Sequence, residues 1–336
     1  MKKKYLLGFV FFTVALLAII NYRTPFLQQD GGAWSLGYGA SASYPERIDV
    51  AKNAIYSIET LKAQNDSTVF LADPFFVKEK NRFYLFFEHK KNKSNADVGL
   101  LTSVDGKKYT YRGTVLTQKF HLSYPQVFKY KNDFYMVPET KQANAVLLYK
   151  AHRFPYDWRI CDTLIADVQL VDPSIYLSDS LNIIVATDYE KNMYLYEADS
   201  LFGKWKLHQK PIALIGTEAR AGGRFFADKK GLVLPVQNCT KGYGYGLSLY
   251  RFSFKDGRYS TNREAPLFLR ANENIAAFNA GMHHLDVQRI GVNQYYYVYD
   301  GNRLASTAQT LNIRGPLKWS YLDLKNWIIK KCEYFN

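Results

Sequence analysis

The chain has 336 residues, enough to bury one large core or two ordinary ones. Aromatic residues make up 16%, with 27 Tyr and 22 Phe, which excludes a disordered chain and suits a strand-dense fold. The net charge of +14 fits glycans, phospholipid headgroups or nucleic acid, but the basic residues are scattered apart from clusters such as Lys90-Lys91-Asn92-Lys93, so nucleic-acid binding is not expected.

At the N-terminus, Lys2-Lys3-Lys4 precede an apolar run from Tyr5 to Ile20, closed by Asn21-Tyr22-Arg23. Residues 1–23 therefore read as a signal anchor or a signal peptide. No Ala-x-Ala site follows the run, and positive residues stay inside, which favours an anchor with an extracytoplasmic body. If the segment is cleaved, the body is secreted or periplasmic. Residues 24–68 form a polar, weakly patterned lead-in. Within it, Trp34-Ser35-Leu36-Gly37-Tyr38 is a short strand expected to close the last repeat as its outer strand.

Residues 69–336 carry the repeats. The first unit opens at Ala72-Asp73-Pro74, the second at Ser123-Tyr124-Pro125 and the third at Val171-Asp172-Pro173. A fourth fits at Ala221-Gly222-Gly223 and a fifth at Gly281-Met282-His283-His284-Leu285-Asp286. Second strands recur as Phe83 to Glu88, Phe134 to Glu139, Asn182 to Asp188, Gly231 to Asn238 and Tyr295 to Asp300, with third and fourth strands behind them. Asp105-Gly106 and Asp256-Gly257 have hairpin-turn composition. Four strands per roughly 50 residues, five times over, predict an all-β fold, a five-bladed β-propeller with four-stranded blades behind an N-terminal hydrophobic helix. Cys161, Cys239 and Cys332 lack zinc-site or disulfide spacing and read as buried thiols.

In such a ring, the start of each first strand and the end of each second strand reach the same central face. That gathers Asp73 with Glu88, Tyr124 with Glu139, Asp172 with Asp188, Arg220 or Arg224 with Gln237, and His283, His284, Asp286 and Asp300. A funnel of carboxylates, amides and rings, Tyr243 and Tyr245 included, suits a polyhydroxylated ligand, and paired carboxylates suit acid/base chemistry at a glycosidic bond. Side-chain alternation predicts that His283 and His284 face opposite ways and do not share one ion. A divalent cation in the funnel, with Asp286 as a further ligand, is the one cofactor left open.

Ala72-Asp73-Pro74 and Asp172-Pro173-Ser174 resemble the blade openings of the five-bladed glycosidases of glycoside hydrolase family 43. That resemblance implies Asp73 as general base and Asp172 as the carboxylate that tunes the acid. The family's Glu-Gly-Pro acid motif is replaced here by Ala221-Gly222-Gly223, which leaves Glu218, Glu139 and His283 as successive candidates for the acid. Four further strings, Phe70 to Phe75, Phe120-His121-Leu122-Ser123-Tyr124-Pro125, Val137-Pro138-Glu139-Thr140 and Gly281 to Asp286, are similar to the N-terminal propeller domain of plant glucosamine inositolphosphorylceramide transferase and its bacterial relatives. The resemblance implies a propeller engaged in glycan or glycolipid assembly at a membrane. His121 joins Tyr124 among the residues expected to bind substrate. In the plant protein a glycosyltransferase domain follows the propeller, and the expectation for this chain is a propeller without it. Two readings stand: a carbohydrate-active enzyme of glycosidase-like or glycosyl-transfer type, and a non-catalytic saccharide-binding propeller serving a partner glycosyltransferase.

Overall fold

The computed structural model describes residues 2–64, 67–92, 95–208, 216–228, 230–255 and 257–335. Asp256 of the expected Asp256-Gly257 turn and Lys93 of the basic cluster lie outside the described residues.

The chain opens with helix α1 (Lys2–Arg23), whose Lys4–Arg23 stretch is long and apolar enough to cross a membrane. After it come β1 (Leu27–Ser41), β2 (Ala54–Tyr56) and the short helix α2 (Ile58–Lys62), which is capped by the Ser57 hydroxyl on the Thr60 N–H. Blade one is β3 (Thr68–Glu79), β4 (Arg82–Lys91), β5 (Ala96–Ser103) and β6 (Thr110–Leu116). Blade two is β7 (Ser123–Tyr130), β8 (Asp133–Glu139), β9 (Ala145–Arg153) and β10 (Tyr156–Ala166). Blade three is β11 (Val171–Leu177), β12 (Asn182–Thr187), β13 (Met193–Glu197) and β14 (Lys206–Leu207). In blade four the first strand is split into β15 (Arg220–Ala221) and β16 (Phe226–Asp228), followed by β17 (Gly231–Asn238), β18 (Gly246–Lys255) and β19 (Arg258–Arg270). The last strands are β20 (Leu285–Gly291) and β21 (Gln294–Leu311), and helix α3 (Arg314–Phe335) ends the chain.

All pairings between these strands are antiparallel, and each sheet is one blade of a five-bladed propeller. Blade five is closed from both ends of the chain, in the order β2-β1-β21-β20, with Leu36 opposite Asp300 and Tyr38 opposite Val298. The 34–38 strand therefore closes the ring as the third strand, not the outermost. β2 takes the edge, because the long pairing of β1 with β21 leaves only the far side of β1 free.

The core lies between blades, where the alternate side chains of adjoining sheets meet. Leu36, Leu85, Phe87 and Val298 fill one such layer. Phe75, Val127, Val185 and Val236 belong to another that runs round the ring. Each of these is 0% exposed, so burial of these strand faces is complete. Cys239 is buried as expected, but Cys161 lies exposed on β10, an outer strand with solvent on its far side. Helix α3 is an element that the repeat reading did not contain, packed outside the blades on the turn at Gly216–Glu218.

Candidate functional site

The opening of blades one to three is shaped by one backbone device. Asp73, Tyr124 and Asp172 stand immediately before Pro74, Pro125 and Pro173, and all three adopt the left-handed conformation, with φ of 50°, 51° and 49°. For a non-glycine residue this conformation costs about 1–2 kcal/mol. At each position the strand register slips, between Ala72 and Phe75, Ser123 and Gln126, and Val171 and Ser174. A bulge of this kind re-aims its residue, and proline is tolerated there because no ladder N–H is required. The freed amides are taken up by carboxylates of the preceding blade. Asp73 N–H donates to Asp300 Oδ2 at 3.0 Å, and Tyr124 N–H donates to Asp73 Oδ2 at 3.2 Å.

Two groups of side chains meet around the hole. In the first, Arg220 binds Asp172 bidentately, with its Nη2 3.1 Å from Oδ1 and its Nε on Oδ2. Gln237 Nε2 donates to the same Oδ2 at 2.9 Å. Glu139 joins them, 3.7 Å from Arg220 and 3.4 Å from Lys141. In the second group, His283 Nδ1 lies 3.0 Å from Asp300 Oδ1, and His283 Nε2 lies 3.0 Å from the Tyr243 hydroxyl. Trp34 stacks on the His283 ring at 4.1 Å, so Trp34 and Tyr243 roof the cluster. Asp73 Oδ1 is 4.0 Å from His283 Nε2 and 3.6 Å from His284 Nδ1. Both histidines thus converge on one carboxylate, against the alternation expected of them. The reason is that residues 282–284 precede β20 and are not in a regular strand.

The charges separate these carboxyls. Burial acts to raise Asp172, but the Arg220 guanidinium outweighs it and holds the group below the ordinary range. Glu139 is pushed up to about 7 by burial and by the Asp172 carboxylate, against the pull of Arg220 and Lys141. Asp73 is raised well above its ordinary value by burial and by the carboxylates of Glu88, Asp172 and Asp300. Burial and these neighbouring carboxylates thus disfavour the anionic form of the candidate base, the opposite of what a resting base requires. Asp73, His283 and Asp300 bring three ligand atoms within 4.8 Å of one another, a set that fits a divalent cation, and such an ion would relieve the carboxylate repulsion. Asp286, expected as a ligand, is not part of it.

Among the described residues, four buried polar atoms of this region lack a hydrogen-bond partner: Glu139 Oε2, Gln237 Oε1 and both ring nitrogens of His284. Orphaned groups this concentrated mark a place where ligand or ordered water completes the bonding. His284 lies between the rings of Phe75 and Tyr124, and burial lowers it to about 4. The unfolded chain takes up a proton near pH 6.5 that the folded chain refuses, so stability falls as pH drops from about 6.5 to about 4, by up to roughly 3 kcal/mol. Urea unfolding at both ends of that window should show a smaller drop for His284→Leu than for wild type. Parallel drops in the two proteins would contradict this role.

The other expected site residues are placed differently. Glu218, the first candidate for the acid, is locked by Ser248, Asn238 and Arg263 at 2.5–3.0 Å and by the Tyr250 hydroxyl. These partners come from β17, β18 and β19 and occupy both of its oxygens, so Glu218 is a structural group of blade four. Asp188 binds Asn192 and Tyr194 in the turn after β12. Arg224 and Asp286 form an ion pair at 2.8 Å and join Val127 O and Phe76 N–H, three residues further along the inner strands than Tyr124 and Asp73. They fill the channel about 10 Å below the mouth. Glu88 remains near Asp73 and pairs with His121 at 3.2 Å. Tyr124 turns its hydroxyl inward to Ser174 and to the Gly223 backbone, where it ties three blades together. Tyr245 lines a neighbouring cavity of about 430 Å³ with Lys241 and Trp34. The sequence reading missed Lys141, two residues after Glu139, and the stacking role of Trp34.

Comparison with known proteins agrees with this architecture. A family model described as glucosamine inositolphosphorylceramide transferase 1, N-terminal, matches residues 24–302. The chain is 31% identical over 342 aligned residues to glucosamine inositolphosphorylceramide transferase 1 of Oryza sativa subsp. japonica, covering 91% of this chain and 45% of that protein. For the Arabidopsis thaliana protein of the same name the identity is 27% over 307 residues, covering 83% and 40%. The chain thus spans less than half the length of the curated relatives it matches. A solved structure described as a thermostable family-43 glycoside hydrolase superposes with a TM-score of 0.52 at 12% identity, over 71% of this chain and 94% of the other. At that identity the likeness is one of fold.

Proposed function

This chain belongs to the family of the glucosamine inositolphosphorylceramide transferase 1 N-terminal domain, and from that membership we propose that its central pocket acts on a membrane glycolipid or glycan at the cell envelope. The relatives' name supplies the substrate class. The chemistry is read from the carboxyls. Arg220 sets Asp172 apart as a fixed anion, while burial and neighbouring carboxylates raise Glu139 and Asp73 toward their protonated forms. That separation is the observation that carries the reading.

Glu139 has Arg220 and Lys141 beside it, whereas Asp73 is crowded by the carboxylates of Glu88, Asp172 and Asp300. The two cations favour the ionised form of Glu139. In this reading Glu139 removes the proton from water or from an acceptor hydroxyl, and the oxygen so freed attacks the anomeric carbon. Asp73 gives its proton to the departing glycosidic oxygen as that C–O bond breaks. Asp172 is a positioning residue that holds Arg220 against Glu139. The exposed Tyr243 ring offers a face for a sugar. A saccharide-binding propeller without chemistry, working for a partner glycosyltransferase, is the other outcome of the test.

The test presents the full chain with a glycan array and with glycolipid vesicles, and follows products by mass spectrometry. Wild type is expected to bind and convert a ligand, whereas Asp73→Asn binds it without converting it. If both proteins bind and neither converts, the pocket is a recognition site and the acid/base assignment falls.

A further inference from the structure

Helix α3 has two faces of opposite character. Its inner face packs on the turn before β15. Leu322 lies against Gly216, Asp323 accepts the Thr217 N–H at 2.7 Å and the Thr217 hydroxyl at 3.1 Å, and Asn326 is buried. At 100° per residue, Leu317, Tyr321, Leu324 and Ile328 fall on the opposite side. They are 40–65% exposed, and Trp327 beside them is 59% exposed.

We infer that this outer face of α3 rests on the surface of a lipid bilayer, as a second membrane contact beside α1. Three observations lead to lipid as the occupant. Most apolar side chains of α1 are equally bare, Leu17 at 40% and Phe11 at 76% exposed among them, and a span of that length and composition is covered by hydrocarbon. The two bare surfaces are joined, because Arg23 at the end of α1 pairs with Asp323, the residue that seats α3 on the propeller. A membrane around α1 is therefore within reach of α3. The composition is also interfacial: Tyr321 and Trp327 accompany aliphatic residues, and Arg314 and Lys318 are exposed alongside for anionic headgroups.

The same anchoring orients the pocket. The Thr24 hydroxyl donates to Thr240 O, so α1 leaves the propeller at the loop that carries Tyr243, the roof of the central cluster. The mouth of the pocket then opens beside the bilayer. This contact stands without the glycolipid reading, and its test uses no activity.

The full chain is reconstituted into vesicles of phosphatidylcholine and phosphatidylglycerol with brominated acyl chains, which quench nearby tryptophans. Trp327→Phe is expected to reduce the quenching about twofold. Trp205→Phe, which removes a ring buried between blades, should leave it unchanged. The double variant Leu324→Glu/Ile328→Glu should lower the quenching as Trp327→Phe does, without altering unfolding of the propeller. Unchanged quenching in Trp327→Phe overturns the proposal. So does disulfide dimerisation through Leu324→Cys in the absence of quenching, which assigns the face to a second copy of the chain.

Discussion

Glu139→Gln is expected to lower turnover by about 10²–10⁴-fold, the loss that accompanies removal of a positioned general base. Glutamine preserves the size of the side chain and the approach to Arg220, so ligand binding should survive while the chemical step does not. The pH profile is the more discriminating readout. Burial and Asp172 hold Glu139 at about 7, so the wild-type rate should climb through that pH as the carboxyl ionises, and the climb should be absent from the variant. A rate that instead falls through pH 7 would make Glu139 the donor and exchange its role with that of Asp73.

Arg220→Leu should destabilise the fold by about 3–5 kcal/mol, because it leaves one partner of a buried ion pair without its counter-charge. Asp172 is fully buried, and Gln237 alone cannot replace a bidentate guanidinium. Glu139 loses the same cation and is driven further toward its protonated form. Urea unfolding measures the effect. The double variant Arg220→Leu/Asp172→Leu should recover a large part of the lost stability, since it removes both charges together. A loss below about 1 kcal/mol in the single variant would show that solvent reaches Asp172 and that the pair is not the anchor described above.

What could be read in the sequence was what repeats. Asp73-Pro74, Tyr124-Pro125 and Asp172-Pro173 recur at nearly equal spacing, and that was enough to count blades and to bring Asp73, Glu139, Asp172 and Arg220 to one mouth. What could not be read was decided by contacts between distant strands. Glu218 looked like an acid because it lies near the replaced motif, but the Ser248, Tyr250 and Arg263 that immobilise it belong to later strands of blade four. Strand alternation misplaced the two histidines because the strand begins only at Leu285. Arg224 and Asp286 share the repeat positions of the mouth residues yet lie deeper, because repeat position does not reveal depth along the channel. Helix α3 carries a local signal in the spacing of Leu317, Tyr321, Leu324 and Ile328, but that helical period is not part of the strand repeat.

The pairing of β1 with β21 also has a kinetic consequence. Residues about 260 positions apart, such as Leu36 and Asp300, must find each other before the ring is whole. Contacts so distant in sequence form late, after the entropy of a very long loop has been lost. During synthesis β1 appears first and its partner last, so an aromatic, unpaired strand must wait while four blades assemble. Such an edge invites pairing with other chains. With α1 in a bilayer, the waiting strand would be held at the membrane surface, apart from strands free in solution. The helix that reads as an address label would therefore also guard the propeller against aggregation until its last strand arrives.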